Sequence, residues 1–503
     1  MSTKQRNPTV GERIDNAISL FFPKWGFERK QARALLRASS TYDNLPTWRG
    51  SADWMPSDGK AENLNAMDRD LARAKARHLE RNSEIVNSIL NALSRNVVGN
   101  GFNLQVRSAN DEWNSAVEEL WSEWSRPGNC DVTGRYSLNQ LLSMVVRRKF
   151  VDGAALVVKN IVANDPQNLP YKLQLLEVDE LKGPMTLLSP QGNAIVGGVE
   201  VDAQNKPLAY WLRRYNFETM LEEEPKRYEA NRVFFLAEHS RPSEVREITP
   251  LIRTLGEVRD LDEFFDAVAF KQKISAALAI FITNSDKSYS LPGSSIVSDD
   301  KKNLKAETNK RVSPGSITEL KRGQDVKAVV PAGTSSELAD FNLATMRRIA
   351  AGHGLSYEMV SRDVSQVNYS SARQNLLEDW KVFKQQQQFL ISHFLDFVFE
   401  GVVKSAVLSG KLSEKVVPKD FWKQPSVYLK HEFIGQGLPW IDPYKEAMAD
   451  KLRLETYQTT LKELYAKQGR DWEEEMAQIE KEAEAKAKIN ELLMKGVDTN
   501  ASD

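Results

Sequence analysis

Two stretches of helical periodicity, separated by about fifty residues of mostly polar sequence, dominate the middle of this chain. The first opens at Thr249–Pro250, a threonine suited to the N-cap followed by a proline suited to the first helical position. Leu251, Leu255, Val258, Leu261, Phe265, Val268 and Phe270 then recur at helical spacing for some thirty residues, with Glu257, Asp260, Asp262, Glu263 and Asp266 on the other side. Alone, such a stripe describes any helix that turns one face to a core. The polar stretch beyond it is more restrictive. Residues 284–314 are rich in Ser, Lys, Asp and Asn and nearly devoid of core formers. Gly315–Leu320, a turn at Lys321–Gln324, and Asp325–Val330 then read as a β-hairpin. The helical pattern resumes at Ser336–Leu355 through Leu338, Phe341, Met346 and Ile349, and stops at Gly352 and Gly354. An insertion that leaves on one helix and returns on another projects as a subdomain, unless its Lys-rich centre, Lys301–Arg311, is a disordered loop.

The rest of the chain is ordered around this feature. Residues 1–59 mix helical periodicity with a Trp- and Pro-bearing stretch (Trp48, Trp54, Pro56) and read as an arm. A helix is expected over Asn65–Asn96, with Leu71, Leu79, Ile85, Ile89 and Leu93 as its apolar positions and Gly99 as its stop. A second runs through Trp113, Val117, Leu120, Trp121 and Trp124, and a third over Leu138–Arg148. Ala154–Val158, Leu173–Val178, Val196–Val201 and Ala209–Arg213 read as strands, which makes residues 60–245 an α+β domain. A polar segment, Ser361–Ser371, precedes another long helix, Ala372–Leu408, carrying Trp380, Phe383, Phe389, Phe394, Phe397 and Phe399. Asp442–Pro443 starts a further helix, Gly469 breaks it, and Asp471 caps a last one whose first turn holds Glu473, Glu474 and Glu475.

Composition bounds what this organisation can do. At 503 residues several domains are expected. The single Cys130 excludes an intrachain disulfide and suits a reducing cytoplasm. The longest apolar run, Ile274–Ile282, is short of the roughly 18–20 residues a membrane helix needs, so a soluble protein is expected. Lys+Arg number 68 against 69 Asp+Glu, a net charge of −1, which argues against tight phosphate binding by the chain as a whole.

No catalytic pattern emerges. His78, His239, His353, His393 and His431 lack ligand spacing, and there is no HExxH, phosphate loop or nucleophile elbow. Glu222–Glu224 and Glu473–Glu475 read as solvated acidic runs rather than a cation site. Ser370–Ser371 beside Arg373 has no base at a recognisable spacing. The expectation is a non-enzymatic protein with no cofactor and no metal site.

Several segments resemble the lambda-type family of tailed-phage portal proteins. The most specific is Ile349–Leu377, IAAGHGLSYEMVSRDVSQVNYSSARQNLL, with its core Asn368-Tyr369-Ser370-Ser371-Ala372-Arg373. Asn96–Gln105, Trp121–Gly134 with its WxxW and Cys130-Asp131 pairs, Val151–Val158, Leu173–Leu181 and Gly198–Arg214 follow the family's order. So do Glu238–Leu251, with Arg241, Pro242 and Pro250, then Trp440–Ala449 (WIDPYKEAMA) and Gly469–Glu475. The resemblance is collinear over residues 70–480. Residues 284–312 are longer and more polar than the family's pattern.

The resemblance implies a mostly helical α+β portal fold with wing, stem, clip and crown regions, closed into a ring of about twelve subunits through a heterologous interface. It maps residues 1–59 to an N-terminal arm, 60–248 to the wing, 249–282 to the stem helix and 283–335 to the clip. It maps 336–355 to the second stem helix, 356–371 to the channel (tunnel) loop, 372–409 to a wing/tunnel helix and 410–503 to a helical crown. Arg362, Asp363, Val364, Ser365, Gln366, Val367, Asn368, Tyr369, Ser370, Ser371 and Arg373 would line the channel, with Ser371 the expected N-cap of the helix beginning near Ala372. Lys287, Lys301, Lys302, Lys305, Lys310, Arg311, Lys321 and Arg322 would form the clip's docking surface. The implied function is a channel at one capsid vertex for DNA packaging and ejection. Its implied partners are the large terminase subunit, head completion and adaptor proteins, major capsid and scaffold proteins, and double-stranded DNA, with assembly in the host cytoplasm and residence in the virion. The alternative is a minor capsid or scaffold protein with no channel.

Overall fold

A computed structural model describes residues 58–162, 169–184, 188–216, 218–276, 280–284, 324–328, 335–365, 367–438 and 443–499. Two units are distinguished: one made of the residues up to Val258 and those from Met346, and a smaller one spanning Arg259–Thr345.

The described part of the larger unit opens on two helices where the periodicity implies one. α1 covers Ala61–Asn82 and α2 Glu84–Val97, and Ser83 between them has extended backbone (φ −107°, ψ 124°). α2 buries Val86, Ile89, Leu90 and Leu93 as its pattern requires. α1 does the reverse: Leu71 and Met67 are exposed, while Glu62, Asn65, Asp68, Arg69 and Arg73 are buried.

The segment leading to the long helix explains that inversion. Glu62 accepts from the N–H groups of Val245 (2.9 Å) and Arg246 (3.0 Å) and pairs with Arg69 (2.6 Å). Burial pushes the Glu62 carboxyl up, but these donors together hold it below the usual carboxylate range. Arg69 also donates to the Glu247 carbonyl (2.9 Å), and Arg73 pairs with the Glu247 carboxylate (3.4 Å) and with Asp179 (3.0 Å). Arg246 forks onto Glu247 at 2.6 and 2.7 Å and donates to Leu181 O (3.1 Å). Buried charges persist only when paired in this way.

α3, Asp111–Trp124, is capped by Asn110, whose side chain accepts from Trp113 N. It buries Trp113, Val117, Trp121 and Trp124; Trp113 packs on Phe421, and Trp121 packs on Trp124, Phe399 and Phe433. Both deepest indoles satisfy their N–H groups on carbonyls, Trp113 on Tyr428 (3.0 Å) and Trp124 on Tyr171 (2.8 Å). α4, Leu138–Asp152, starts on a Ser137/Gln140 capping box and ends at Gly153 with φ 96°.

The strands are antiparallel in every named pairing. Ala154–Ile161 lies between Val233–Ala237 and Tyr171–Leu176, and a four-stranded sheet runs Ala194–Val196, Val199–Val201, Pro207–Leu212, Lys226–Glu229. The expected strand 196–201 is a hairpin folded about Gly197–Gly198, both at positive φ. Leu156, Val158, Leu176, Leu181, Val199, Val201, Tyr210, Leu212 and Val233 share one core between the two sheets. Asn103–Val106 pairs with His431–Ile434, so the C-terminal region closes back on the N-terminal one.

The long helix starts with a 3₁₀ turn, Pro250–Arg253, after Thr249, whose Oγ1 accepts from Leu251 N (3.2 Å) and donates to Phe150 O (3.1 Å). α5 then covers Leu255–Ala276, and Ile280–Asn284 is already strand. The helix is therefore shorter than its pattern implies. In the smaller unit, Gln324–Ala328 pairs antiparallel with Ile280–Asn284, a different partner from the 315–320 of the expected hairpin, which lies outside the described residues. Phe264 packs on Phe341 (4.8 Å between ring centres), while Phe265 and Phe270 of the expected core stripe are exposed.

α6 is Ser335–Gly352, α7 the short Tyr357–Ser361, and α8 Tyr369–Leu390. α8 passes through one π turn, Ile391–Leu395, into α9, Asp396–Leu408. α10 (Pro443–Glu455), α11 (Leu461–Lys467) and α12 (Trp472–Thr499) complete the described chain.

Candidate functional site

The polar segment between α6 and α8 is held by three fixed points. The first is His353, whose Nε2 lies 2.7 Å from Thr254 Oγ1. Burial, reinforced by the charge of Arg253, pushes its imidazole down to about 4, so the ring is neutral near pH 7. The second is Ser356. Its N–H donates to Asp379 Oδ1 (2.7 Å), its Oγ donates to Asp379 Oδ2 (2.6 Å), and the same Oγ caps α7 by accepting from Met359 N. Burial raises the Asp379 carboxyl despite these two donors. The third is Asn375, which donates to Glu358 (2.9 Å) and ties α7 to α8.

From there the chain turns back through a short polar loop. Arg362 ends α7 in the left-handed conformation (φ 58°), with its N–H on Glu358 O (2.9 Å). Asp363 accepts from Ser365 N (3.0 Å), and hydrogen bonds from Ser365 hold its carboxyl below the usual range. Asn368 is the N-cap of α8, and its Oδ1 accepts from Ser371 N (2.9 Å). This corrects the sequence expectation: Ser371 is already in the first helical turn, and the helix starts at Tyr369, three residues earlier than its apolar pattern implies.

The expected channel residues separate accordingly. Arg362, Asp363, Ser365, Asn368, Ser370 and Ser371 are exposed, and so is Val364, at 67%. Val367 is half-buried, and Gln366 lies outside the described residues. Tyr369 and Arg373 face α10: Lys445 Nζ stands 5.2 Å from the Tyr369 ring centre, and Arg373 pairs with Glu446 at 3.5 Å. Lys287, Lys301, Lys302, Lys305, Lys310, Arg311, Lys321 and Arg322 all lie outside the described residues.

Sequence reading missed the residues that anchor the loop. Asp379, Gln386 and Gln387 are buried on α8. Gln387 Nε2 donates to the α2 carbonyls of Asn96 (3.3 Å) and Val97 (3.2 Å) and to Gln436 O (3.2 Å). Gln386 shares Glu238 with Lys149, a buried ammonium 2.8 Å from that carboxylate and 4.0 Å from the Phe389 ring centre. Polar residues at core-facing helical positions were the available signal, but their partners are distant in sequence. Among the described residues the loop offers hydroxyls, the Asn368 amide, one carboxylate and one guanidinium to solvent, on a base that does not rearrange without breaking the Ser356–Asp379 and Asn375–Glu358 hydrogen bonds.

A family model described as phage portal protein, lambda family, matches residues 47–387. The chain is 28% identical over 432 residues to a probable portal protein of Halomonas phage phiHAP-1, covering 84% of this chain and 81% of that protein. It is 30% identical over 175 residues to the portal protein of Escherichia phage N15, covering 34% and 31%. It is 28% identical over 173 residues to portal protein B of Escherichia phage lambda, covering 33% and 32%. Among solved structures, a chain of the virion of a native gene transfer agent particle aligns at TM-score 0.42 and 13% identity, covering 84% of this chain and 96% of that one.

Proposed function

This chain belongs to the lambda family of phage portal proteins, and from that premise we propose that about twelve copies close into a ring whose channel conducts double-stranded DNA into and out of the capsid. A portal protein is a structural component of the virion, and family membership sets aside the alternative of a minor capsid or scaffold protein. Residues 60–248 are the wing, 249–282 and 336–355 the stem, 283–335 the clip, 372–409 the wing/tunnel helix and 410–503 the crown. The clip docks the large terminase subunit during packaging and the head completion or adaptor proteins afterwards. The wing and crown meet the major capsid and scaffold proteins.

The observation that carries the channel reading is the Arg362–Ser371 loop. Its described polar residues are exposed, and its flanks are pinned where Ser356 donates to the buried Asp379, where Asn375 donates to Glu358 and where Asn368 caps α8. Repeated around a ring, it makes a polar collar that meets the duplex without clasping it, in keeping with a net charge of −1 per chain. The exposed Phe265, Phe270 and Phe341 are available for a neighbouring copy. Negative-stain images and native mass measurement of the purified protein test ring closure. Rings with a central hole are expected, and only monomers or dimers at micromolar concentration would reject it. Gln366→Ala combined with Asn368→Ser, which keeps a capping oxygen, tests the collar. Rings and capsids should form while less DNA is packaged or retained, and full-length DNA in that variant rejects the channel role.

A further inference from the structure

The break between α1 and α2 leaves an open cleft of about 350 Å³. Arg81 reaches it from the last turn of α1, Arg95 from the last turn of α2, and Arg362 from beyond α7. None of these guanidinium groups has a partner among the described residues, although Arg69, Arg73, Arg77, Arg147 and Arg148 of the surrounding helices are all paired. Glu84 is the one carboxylate lining the cleft, so three arginines against it leave two positive charges. The N-terminus of α2 opens here too. Ser83 occupies the cap position but its side chain caps nothing, and its buried Oγ has no partner. The first N–H groups of a fourteen-residue helix thus lack a side-chain cap at one end of the cleft, and Arg95 stands about three turns further along the same helix.

A cation in the last turn of a helix is favoured for its own sake, which accounts for Arg81 and Arg95 singly. It does not account for their sharing one cleft with Arg362 and with an uncapped helix start. We propose that this cleft binds a phosphate oxyanion. Guanidinium forks and helix N-terminal N–H groups are the two donor types that recognise phosphate, and together they offer a tetrahedral anion more donors than one carboxylate can use. The phosphate comes from a DNA backbone or from free inorganic phosphate. The DNA source rests on the reading of Arg362 and its loop as facing the channel, whereas the site itself does not.

The test uses the full chain, with Arg81→Gln/Arg95→Gln and Arg362→Gln as variants and Arg126→Gln, an exposed arginine elsewhere, as control. Inorganic phosphate binding is followed by calorimetry, and binding of a short DNA duplex by fluorescence anisotropy across salt concentrations. The wild type and the control should bind phosphate alike, and the variants at least about tenfold more weakly. If DNA is the source, phosphate competes with the duplex, and the salt dependence of duplex binding becomes shallower by about one per arginine removed. Weakened phosphate binding with unchanged duplex binding assigns free phosphate instead. No phosphate binding by the wild type, or undiminished binding by the variants, overturns the proposal. So does loss of oligomerisation with phosphate binding intact, which would place a neighbour's carboxylate in the cleft. Melting temperatures guard against misfolding, and Lys at each position keeps the charge without the fork if a Gln variant does not fold. DNA packaging by the Gln366 and Asn368 variants reads the channel role separately, so either idea can fail alone.

Discussion

Two of the side chains that hold the loop, Asn368 and His353, each make a measurable difference. Three residues able to cap stand within four positions, Asn368, Ser370 and Ser371, and a sequence pattern cannot choose among them because all could begin the same helix. The structure chooses Asn368 because the helix starts at Tyr369. Asn368→Ala should therefore cost about 0.5–2 kcal/mol and speed hydrogen exchange at the Ser371 amide, with Asn368→Ser restoring most of it. Ser371→Ala should be close to neutral in unfolding measurements, and the reverse ranking would move the cap. His353 gives a pH dependence. Its pKa is about 4 folded against an ordinary 6.5, so between these values the unfolded chain takes up a proton that the folded chain refuses. Stability contributed by the neutral ring is complete above about pH 6.5 and falls away toward pH 4, by roughly 3 kcal/mol in all. His353→Gln, which can still reach Thr254 but does not titrate, should lose less of its melting temperature between pH 7 and 4.5 than the wild type. Parallel curves would mean the ring is not held neutral.

At the level of elements, periodicity recovers what depends on a single face. The α2 pattern, the buried tryptophans of α3 and the continuous apolar strand around Val157 were legible because apolar spacing alone positions them. α1 was not. Ser83 does not break a helix by propensity, and the face α1 buries is charged because Val245–Glu247, far along the chain, supplies two backbone N–H donors and the Glu247 carboxylate to it. The same holds for Asp379 and Gln387, whose partners are Ser356 and the end of α2. Asp379→Ala should leave the Ser356 N–H and hydroxyl unpaired, costing about 1–3 kcal/mol and raising exchange or protease cleavage across residues 356–368 while α9 stays protected. Equal protection in both segments would show that Ser356 does not anchor the loop. Gly153 controls the other junction. A Cβ there would lie 2.7 Å from the Ile248 backbone carbon and 2.9 Å from Thr249 N, at a φ of 96°. Gly153→Ala should thus destabilise by more than about 1 kcal/mol, because neither backbone nor dihedral can give way. A melting temperature equal to the wild type would mean the Ile248–Thr249 segment yields easily.

For the molecule as a whole, the stretch between the two long helices is the part that the proposed docking role depends on. Composition alone suggests an excursion at 284–314, because polar residues without core formers have little to add to a core. It could not locate the base, because pairing of Ile280–Asn284 with Gln324–Ala328 joins strands about forty residues apart and no local turn announces it. That pairing fixes where a deletion of the proposed clip is cut. Asn284 faces Gln324 in the ladder, so a short Gly/Ser turn can replace 285–323 and keep both strands and both helices. If the clip serves docking alone, the shortened protein still assembles, since 285–323 then add nothing to the contact between copies. Native mass should then match the wild-type ring less the deleted residues, while binding of the large terminase subunit falls below detection. Unchanged terminase affinity would move docking to another surface. Loss of rings with a normal melting temperature would instead make 285–323 part of the ring interface, and a docking measurement on mixed rings of full and shortened chains would then separate assembly from terminase contact at the same residues.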